Sequence, residues 1–288
     1  MADINETING YRLRRLLQTG QVSQVYEVVE ASSNRHFAMK LLLPESAAKS
    51  DVRALLFHEA EVGIKLRHEN VINIIKVSRD PLTPHFIMEF FPSGALRNKL
   101  MAKDTAFIKE HLRKIFKQSA TGLAYMHANG WVHCDVKPDN FLVNQSGELR
   151  IIDFAISKKV PTGLAKLFYR AHKAQGTPSF MAPEQIRGKR PDPRSDIYSL
   201  GATYYELLTG RPPFRGATQQ ELLNKHITDR VDPPKAYNPD ISDEMSNLIV
   251  KMLSKKMEDR PQTCHDVLIP MRKIQILKSQ PIPDEESM

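Results

Sequence analysis

Between residues 11 and 43 apolar and polar positions alternate in three runs, YRLRRLL, QVYEVVEA and HFAMKLLL, separated by polar turns such as SSN. A period of two, carried by β-branched and aromatic residues, predicts the strands of a small antiparallel sheet. The period then lengthens. In DVRALLFHEAEVGIKLR, residues 51–67, Val52, Leu55, Leu56, Ile64 and Leu66 recur at helical spacing behind an acidic start, which predicts a helix. HFIMEFFPSGAL at 85–96 reads as a buried strand leaving into a turn at Pro92, Ser93 and Gly94. From Lys109 to Asn129, Leu112, Ile115, Phe116, Leu123 and Met126 share one helical face, and Gly130 stops that helix. A further buried helix is expected over 196–209, capped by Ser195 and ended by Gly210 with Pro212 and Pro213 behind it.

Composition narrows the class without naming a function. With 288 residues, 41% hydrophobic and 26% charged, the chain has the make-up of a soluble globular protein of one or two domains. No apolar run approaches the roughly 18 residues of a spanning helix, and MADINETING lacks the basic and apolar regions of a signal peptide. Cys134 and Cys264 have no metal-ligand spacing, so reduced thiols and a cytoplasmic location are expected. The net charge of +8 comes without a zinc finger, an RNA-binding signature or a long Lys/Arg block, so no nucleic-acid partner is expected.

The chemistry is concentrated in HCDVKPDNFLVNQSGELRIID, residues 133–153. Asp135 is suited to orient and deprotonate an attacking hydroxyl, and Lys137 to neutralise charge on a transferring phosphoryl. Asn140 and Asp153 offer hard oxygen ligands to hydrated Mg²⁺. Two short strands around a Gly-containing turn separate the two ligands, a hairpin that would let them face each other.

On these residues the chain resembles the eukaryotic-type Ser/Thr protein kinases, from about Tyr11 to Met271. Asp135, Lys137, Pro138 and Asn140, then Asp153 and Phe154, then Ala182, Pro183 and Glu184 follow that family's order. The resemblance implies an α+β, bilobal fold. An N-lobe over 11–91, a small antiparallel sheet plus one helix, would follow an extension at 1–10, and a mainly helical C-lobe over 92–273 would precede a flexible tail at 274–288.

It also implies ATP and Mg²⁺, with Mn²⁺ as a substitute, and protein substrates. Lys40 would hold the phosphates, braced by Glu59, which the spacing to His68 favours over Glu61. Gly20 and Val25 would belong to the loop over the phosphates. Ala38, Met88 and Leu142 would line the adenine site, and backbone groups of Glu89 and Phe91 would bond the adenine edge. Asp135 and Lys137 would be catalytic, and Asn140 and Asp153 would hold metal. Thr177 would bond near Asp135 and Lys137, His133 would hold the catalytic loop, and Asp196 would anchor it. Arg260 would pair with Glu184.

Five positions depart from the family pattern. Gln18 and Ser23 stand where the phosphate loop has glycines, and Gly63 replaces a bulky apolar residue, a gap expected to loosen the helix. Cys134 replaces the arginine that clamps a phosphorylated activation segment, and Ala155 replaces the glycine after Asp153 and Phe154. The segment from Phe154 to Pro183 carries Lys158, Lys159, Lys166, Arg170, His172 and Lys173 and no acidic residue, and Thr162, Ser157 and Ser179 are its candidate phosphorylation sites. Two readings follow: a kinase that is not gated through that arginine, or a catalytically weak pseudokinase acting as a scaffold or allosteric regulator.

Overall fold

The alternation that opens the chain builds a six-stranded antiparallel sheet in the computed structural model, which describes residues 6–161, 175–190 and 192–281. The fold is α+β and divides into two units, one made of the residues up to Ser93 with Ile152–Ala155, the other of Gly94–Ile151 with Ile156 onward.

In the first unit the strands β1 (Thr7–Ile8), β2 (Tyr11–Thr19), β3 (Ser23–Glu30), β4 (His36–Leu42), β5 (Ile74–Ser78) and β6 (His85–Glu89) lie in the order β1-β2-β3-β4-β6-β5. Residues 7 and 8 therefore belong to the sheet rather than to a separate extension, and Ile8 is buried with Tyr11, Leu13, Tyr26, Val28, Phe37, Met39, Leu41 and Ile87. The strand period sends their alternates to the other face. Register places Val25 opposite Lys40 and Ala38 opposite Met88, so these four share that second face. After a short α1 (Pro44–Ala47) comes α2 (Ser50–Lys65), within a residue or two of its expected span.

Gly63 does not leave a gap. An ideal Cβ there would stand 2.4 Å from Ile74 Cδ1 and 2.7 Å from its Cγ1, so the β5 side chain already fills the space.

The second unit is mainly helical: β7 (Gly94–Ala95), α3 (Leu96–Met101), α4 (Thr105–Ala128), β8 (Trp131–Val132), β9 (Phe141–Val143), β10 (Leu149–Ile151), β11 (Lys158–Lys159), α5 (Pro183–Ile186), α6 (Pro193–Thr209), α7 (Gln219–Thr228), α8 (Asp243–Met252) and α9 (His265–Met271). Helix α4 begins before the expected Lys109 because Asp104 caps it, accepting from the Phe107 amide at 3.2 Å. The start of α6 also differs from expectation. Asp192 is its cap, and Ser195 lies one turn inside, its hydroxyl donating to Glu184 at 2.6 Å. Gly210 ends α6 in the left-handed region, as Gly does at helix C-termini. Phe116 of α4 stacks on Tyr204 of α6 with ring centroids 3.8 Å apart, tying the two central helices together.

The stretch after 273 is not a loose tail as far as it is described. Ile276 and Leu277 are buried, the Ser242 amide donates to the Ile276 carbonyl, and Arg113 donates to the carbonyls of Met271 and Ile274. Residues 282–288 lie outside the described residues. No helix among the described residues is long and apolar enough to cross a membrane.

Candidate active site

The first unit carries a buried ion pair. Lys40 Nζ donates to Glu59 Oε2 at 2.6 Å and stands 4.0 Å from Asp153 Oδ1. Burial works against the ammonium, but Glu59 and Asp153 outweigh it and hold the Lys40 pKa above its usual value. Glu61 instead pairs with Arg79 on the surface at 2.7 Å, which decides between the two glutamates in favour of Glu59.

Gly20 closes the β2–β3 turn by donating to the Ser23 carbonyl at 2.8 Å, and a Cβ on it would press on that oxygen at 3.2 Å. Gln24, behind the turn, is buried and accepts from the Tyr26 hydroxyl at 2.8 Å. The Glu89 amide is committed to the Asn73 carbonyl, and its carboxylate accepts from the Asn73 amide. Phe91 follows half-buried, its carbonyl accepting from Ser93 Oγ. Asp153 adopts a left-handed backbone, φ +68°, whereas Ala155 does not, so a Cβ is tolerated at 155 without strain.

The second unit carries the remaining candidates and clusters them, except Leu142, which stands apart from the cluster on β9 opposite Arg150 and Ala95. Asp135 is the centre. Its Oδ1 accepts from the Thr177 amide at 3.0 Å and the Thr177 hydroxyl at 2.8 Å, while Oδ2 lies 2.7 Å from Lys137 Nζ and 3.2 Å from Asn140 Nδ2. Lys137 also donates to Thr177 Oγ1 at 2.7 Å, so four side chains form one charge-assisted network. Because Asn140 turns its nitrogen to the Asp135 carbonyl and carboxylate, its amide oxygen is the group left to act as a ligand, which suits a hard cation.

A second carboxylate braces the loop from beneath. Asp196 accepts from the amides of His133 at 2.7 Å and Cys134 at 2.9 Å, and its Oδ2 lies 2.8 Å from His127 Nε2. His133 is fully buried and accepts from the Asp135 amide, a structural role. Cys134 is held left-handed, φ +69°, a costly conformation for a residue with a Cβ that these contacts over-determine. Its thiol is buried and its pKa is pushed far up by desolvation, then by the Asp196 charge, which keeps it protonated and unreactive.

Sequence reading missed three contributors. Gln185 donates to the Cys134 carbonyl at 2.8 Å and accepts from the Ala182 amide at 3.1 Å, linking the segment before α5 to the catalytic loop. Gly176 has φ +129°, which a residue with a Cβ rarely adopts, and a Cβ there would press on Met181 at 3.1 Å and the Cys134 carbonyl at 3.2 Å. His127 sits six residues before the 133–153 stretch and gives no local motif; only the α4 and α6 packing brings it to Asp196. The Glu184 and Arg260 side chains form the expected buried pair, with contacts of 2.7 and 2.9 Å. Ser157 is buried with its hydroxyl on the His133 carbonyl, which disfavours it as a phosphorylation site, whereas Ser179 is half-buried. Thr162, Lys166, Arg170, His172 and Lys173 lie outside the described residues.

A lysine–glutamate pair joining β4 to α2 and an Asp–Lys–Asn–Thr cluster on the helical unit are the features to set beside known proteins. The Protein kinase domain profile matches residues 11–269, and the chain belongs to that family. It is 29% identical over 260 residues to a probable serine/threonine-protein kinase of Clostridium acetobutylicum, covering 90% of this chain and 39% of that protein. With the serine/threonine-protein kinase PrkC of Bacillus subtilis it shares 28% identity over 265 residues, covering 92% and 40%. With Aurora kinase A-B of Xenopus laevis it shares 31% over 253 residues, covering 88% and 59%. The chain thus spans about two fifths of the length of the two bacterial relatives.

Proposed function

We propose that the chain is an ATP-dependent protein serine/threonine kinase. The observation that carries the reading is the network in which Asp135 is bonded at once by Lys137, Asn140 and Thr177. In this reading the acceptor hydroxyl approaches Asp135, which takes its proton as the oxygen attacks the γ-phosphorus. The bond from that phosphorus to the β-bridging oxygen breaks, and ADP leaves. Lys137 offsets charge on the transferring oxygens, and Lys40, fixed by Glu59, holds the other phosphates. Val25, Ala38 and Met88 offer an apolar sheet face to the adenine, and with the Glu89 amide committed to Asn73, its carbonyl is the group for the adenine amine. Leu142 would add apolar lining. Asn140 and Asp153 would hold Mg²⁺, or Mn²⁺ in its place, which supplies neutralisation of phosphate charge when bound.

The five departures from the family pattern do not favour the pseudokinase reading. Ile74 fills the space at Gly63, Ala155 has an ordinary backbone, and none of the five removes a charge the chemistry requires. Cys134 bears no cation, while Asp196 and Gln185 already hold its backbone, which supports activity without a phosphate clamp at that position. Two unpaired cysteines support a reducing, cytoplasmic setting. Phosphate transfer from labelled ATP to a generic protein, with Asp135→Asn alongside, tests the function. Transfer lost in the variant is expected; transfer from neither protein would make the scaffold reading the better one.

A further inference from the structure

Arg97 stands outside the network just described, yet it is held more tightly than a surface arginine needs to be. Its Nη1 and Nη2 donate to the two oxygens of Glu206 at 2.8 and 3.1 Å, and its Nε donates to Asp139 Oδ2 at 3.1 Å. The guanidinium carbon lies 5.8 Å from the centroid of the Phe180 ring. One carboxylate gripping a guanidinium edge-on, another taking its Nε–H, and an aromatic ring nearby make a receptor for a guanidinium group. The chain fills that receptor with its own side chain.

The position gives the arrangement its meaning. Asp139 lies between Lys137 and Asn140, four residues from Asp135 and so no more than ~14 Å away along the chain. Phe180 donates its amide to the Thr177 carbonyl, and Thr177 is bonded to Asp135. The filled pocket therefore takes Asp139 from the segment that carries Asp135 and its aromatic ring from the segment bonded to Asp135, with Glu206 supplied by α6. Its Asp139 side chain is 44% exposed, whereas that of Glu206 is 12% exposed, so the pocket opens to solvent on the Asp139 side. An extended acceptor chain advances ~3.3 Å per residue, which puts side chains a few residues from the accepting hydroxyl within reach.

We propose that Arg97 is a specificity-determining residue: it occupies from within the acidic pocket of Asp139 and Glu206, so that the protein takes acceptor peptides without selecting an arginine at the position that pocket would read. This rests on the kinase reading above and names the substrate class of that site, peptides with no basic requirement there. Removing the Arg97 side chain exposes two carboxylates poised for a guanidinium from outside, and the protein then selects arginine.

The test uses the full chain and acceptor peptides carrying arginine or alanine at each position in turn. Wild type is expected to show kcat/KM ratios within ~3-fold of one at every position. Arg97→Ala raises the arginine preference at one position by about tenfold, and adding Glu206→Gln removes the gain. Methylguanidinium, followed by thermal shift, stabilises Arg97→Ala and leaves wild type unmoved; that readout needs no turnover, so it decides the pocket even if no phosphate is transferred by any variant. A tenfold arginine preference in wild type overturns the proposal. So does a folded Arg97→Ala that neither binds methylguanidinium nor gains selectivity. Should Arg97→Ala be unfolded, recovery in methylguanidinium supports the pocket. Failure to recover, together with no methylguanidinium response in Arg97→Gln, overturns it.

Discussion

The Asp135 carboxylate takes two hydrogen bonds on one oxygen from a single residue, Thr177, through its amide and its hydroxyl. The same hydroxyl receives Lys137, so Thr177 sets the distance between the Asp135 carboxylate and the Lys137 ammonium. Thr177→Val keeps the shape and the amide bond and deletes the hydroxyl. A hydrogen bond to a charged group is worth roughly 1.5–3 kcal/mol, so kcat should fall ~10–100-fold with little change in KM for ATP. Thr177→Ser should restore most of it. Steady-state kinetics of the two variants decides; equal loss in both would mean that the methyl packing, not the hydroxyl, is what matters.

Two glutamates one half-turn apart should behave differently. Glu59 is buried on Lys40, whereas Glu61 meets Arg79 with both side chains more than half exposed. Exposed pairs contribute 0–1 kcal/mol, and buried charge-assisted bonds more. Glu59→Gln should lower kcat/KM for ATP ~10–100-fold, while Glu61→Gln should change it by less than about threefold. A matching loss in Glu61→Gln would remove Glu59 from the phosphate-holding role.

How much of this was legible from the letters follows from how local each cause is. The strands that carry Val25, Ala38 and Lys40 were readable because strand parity is a period of two, although the use of those positions came from the resemblance, and the Asp135 cluster was readable because Asp135, Lys137 and Asn140 fall within six residues. Thr177 came from the resemblance, not from spacing. The start of α6 was misread because two capping residues, Asp192 and Ser195, stand three apart, and only the Glu184 partner shows that Ser195 is otherwise engaged. The space at Gly63 was read as empty because the residue filling it, Ile74, arrives from another strand. His127 and Gln185 act over 69 and 51 residues of separation, and no periodicity reports such contacts.

The Glu184–Arg260 pair should dominate the stability of the helical unit among single polar contacts. The two side chains are 4% and 0% exposed, and Arg260 also donates to the carbonyls of Ser254, Arg194 and Lys255. Glu184→Gln leaves a buried guanidinium without its counter-charge, which costs about 3–5 kcal/mol. For a unit of this size that is a drop in Tm of roughly 6–20 °C. Calorimetry of Glu184→Gln checks it, and a shift of only a degree or two would show that the carbonyls suffice.

Two buried histidines should bend the stability profile in opposite directions. Burial lowers the His226 pKa from 6.5 to about 3, with Lys255 adding to it, so the folded protein keeps this ring neutral. Its stabilising share is present above pH 6.5 and is lost as pH falls from there toward 3, because the unfolded chain gains the proton first. For His127 burial acts downward, but Cys264 and Asp196 outweigh it and raise the pKa to about 10. That share is complete below pH 6.5 and is lost as pH climbs through 10. Thermal melts from pH 4 to pH 10 should show His226→Gln flattening the acid arm and His127→Gln the alkaline arm. If both variants leave the profile parallel to wild type, neither ring titrates as described.

Gly63→Ala sets two known magnitudes against each other. Alanine gains about 1 kcal/mol over glycine inside a helix, which alone would stabilise α2. Its Cβ, however, would arrive 2.4 Å from Ile74 Cδ1 and 2.7 Å from Cγ1, distances that force one of the two elements to move. Overpacking of a filled core costs about 1–3 kcal/mol, so the net effect of Gly63→Ala should be a loss of up to ~2 kcal/mol. Ile74→Ala removes both offending atoms and leaves only the Cβ at 3.2 Å. The double variant Gly63→Ala, Ile74→Ala should therefore be no less stable than Ile74→Ala alone, a coupling of about 1 kcal/mol or more in a denaturant cycle. A Gly63→Ala variant more stable than wild type would show that the β5 side chain yields easily, and that α2 is loosened by a vacancy after all.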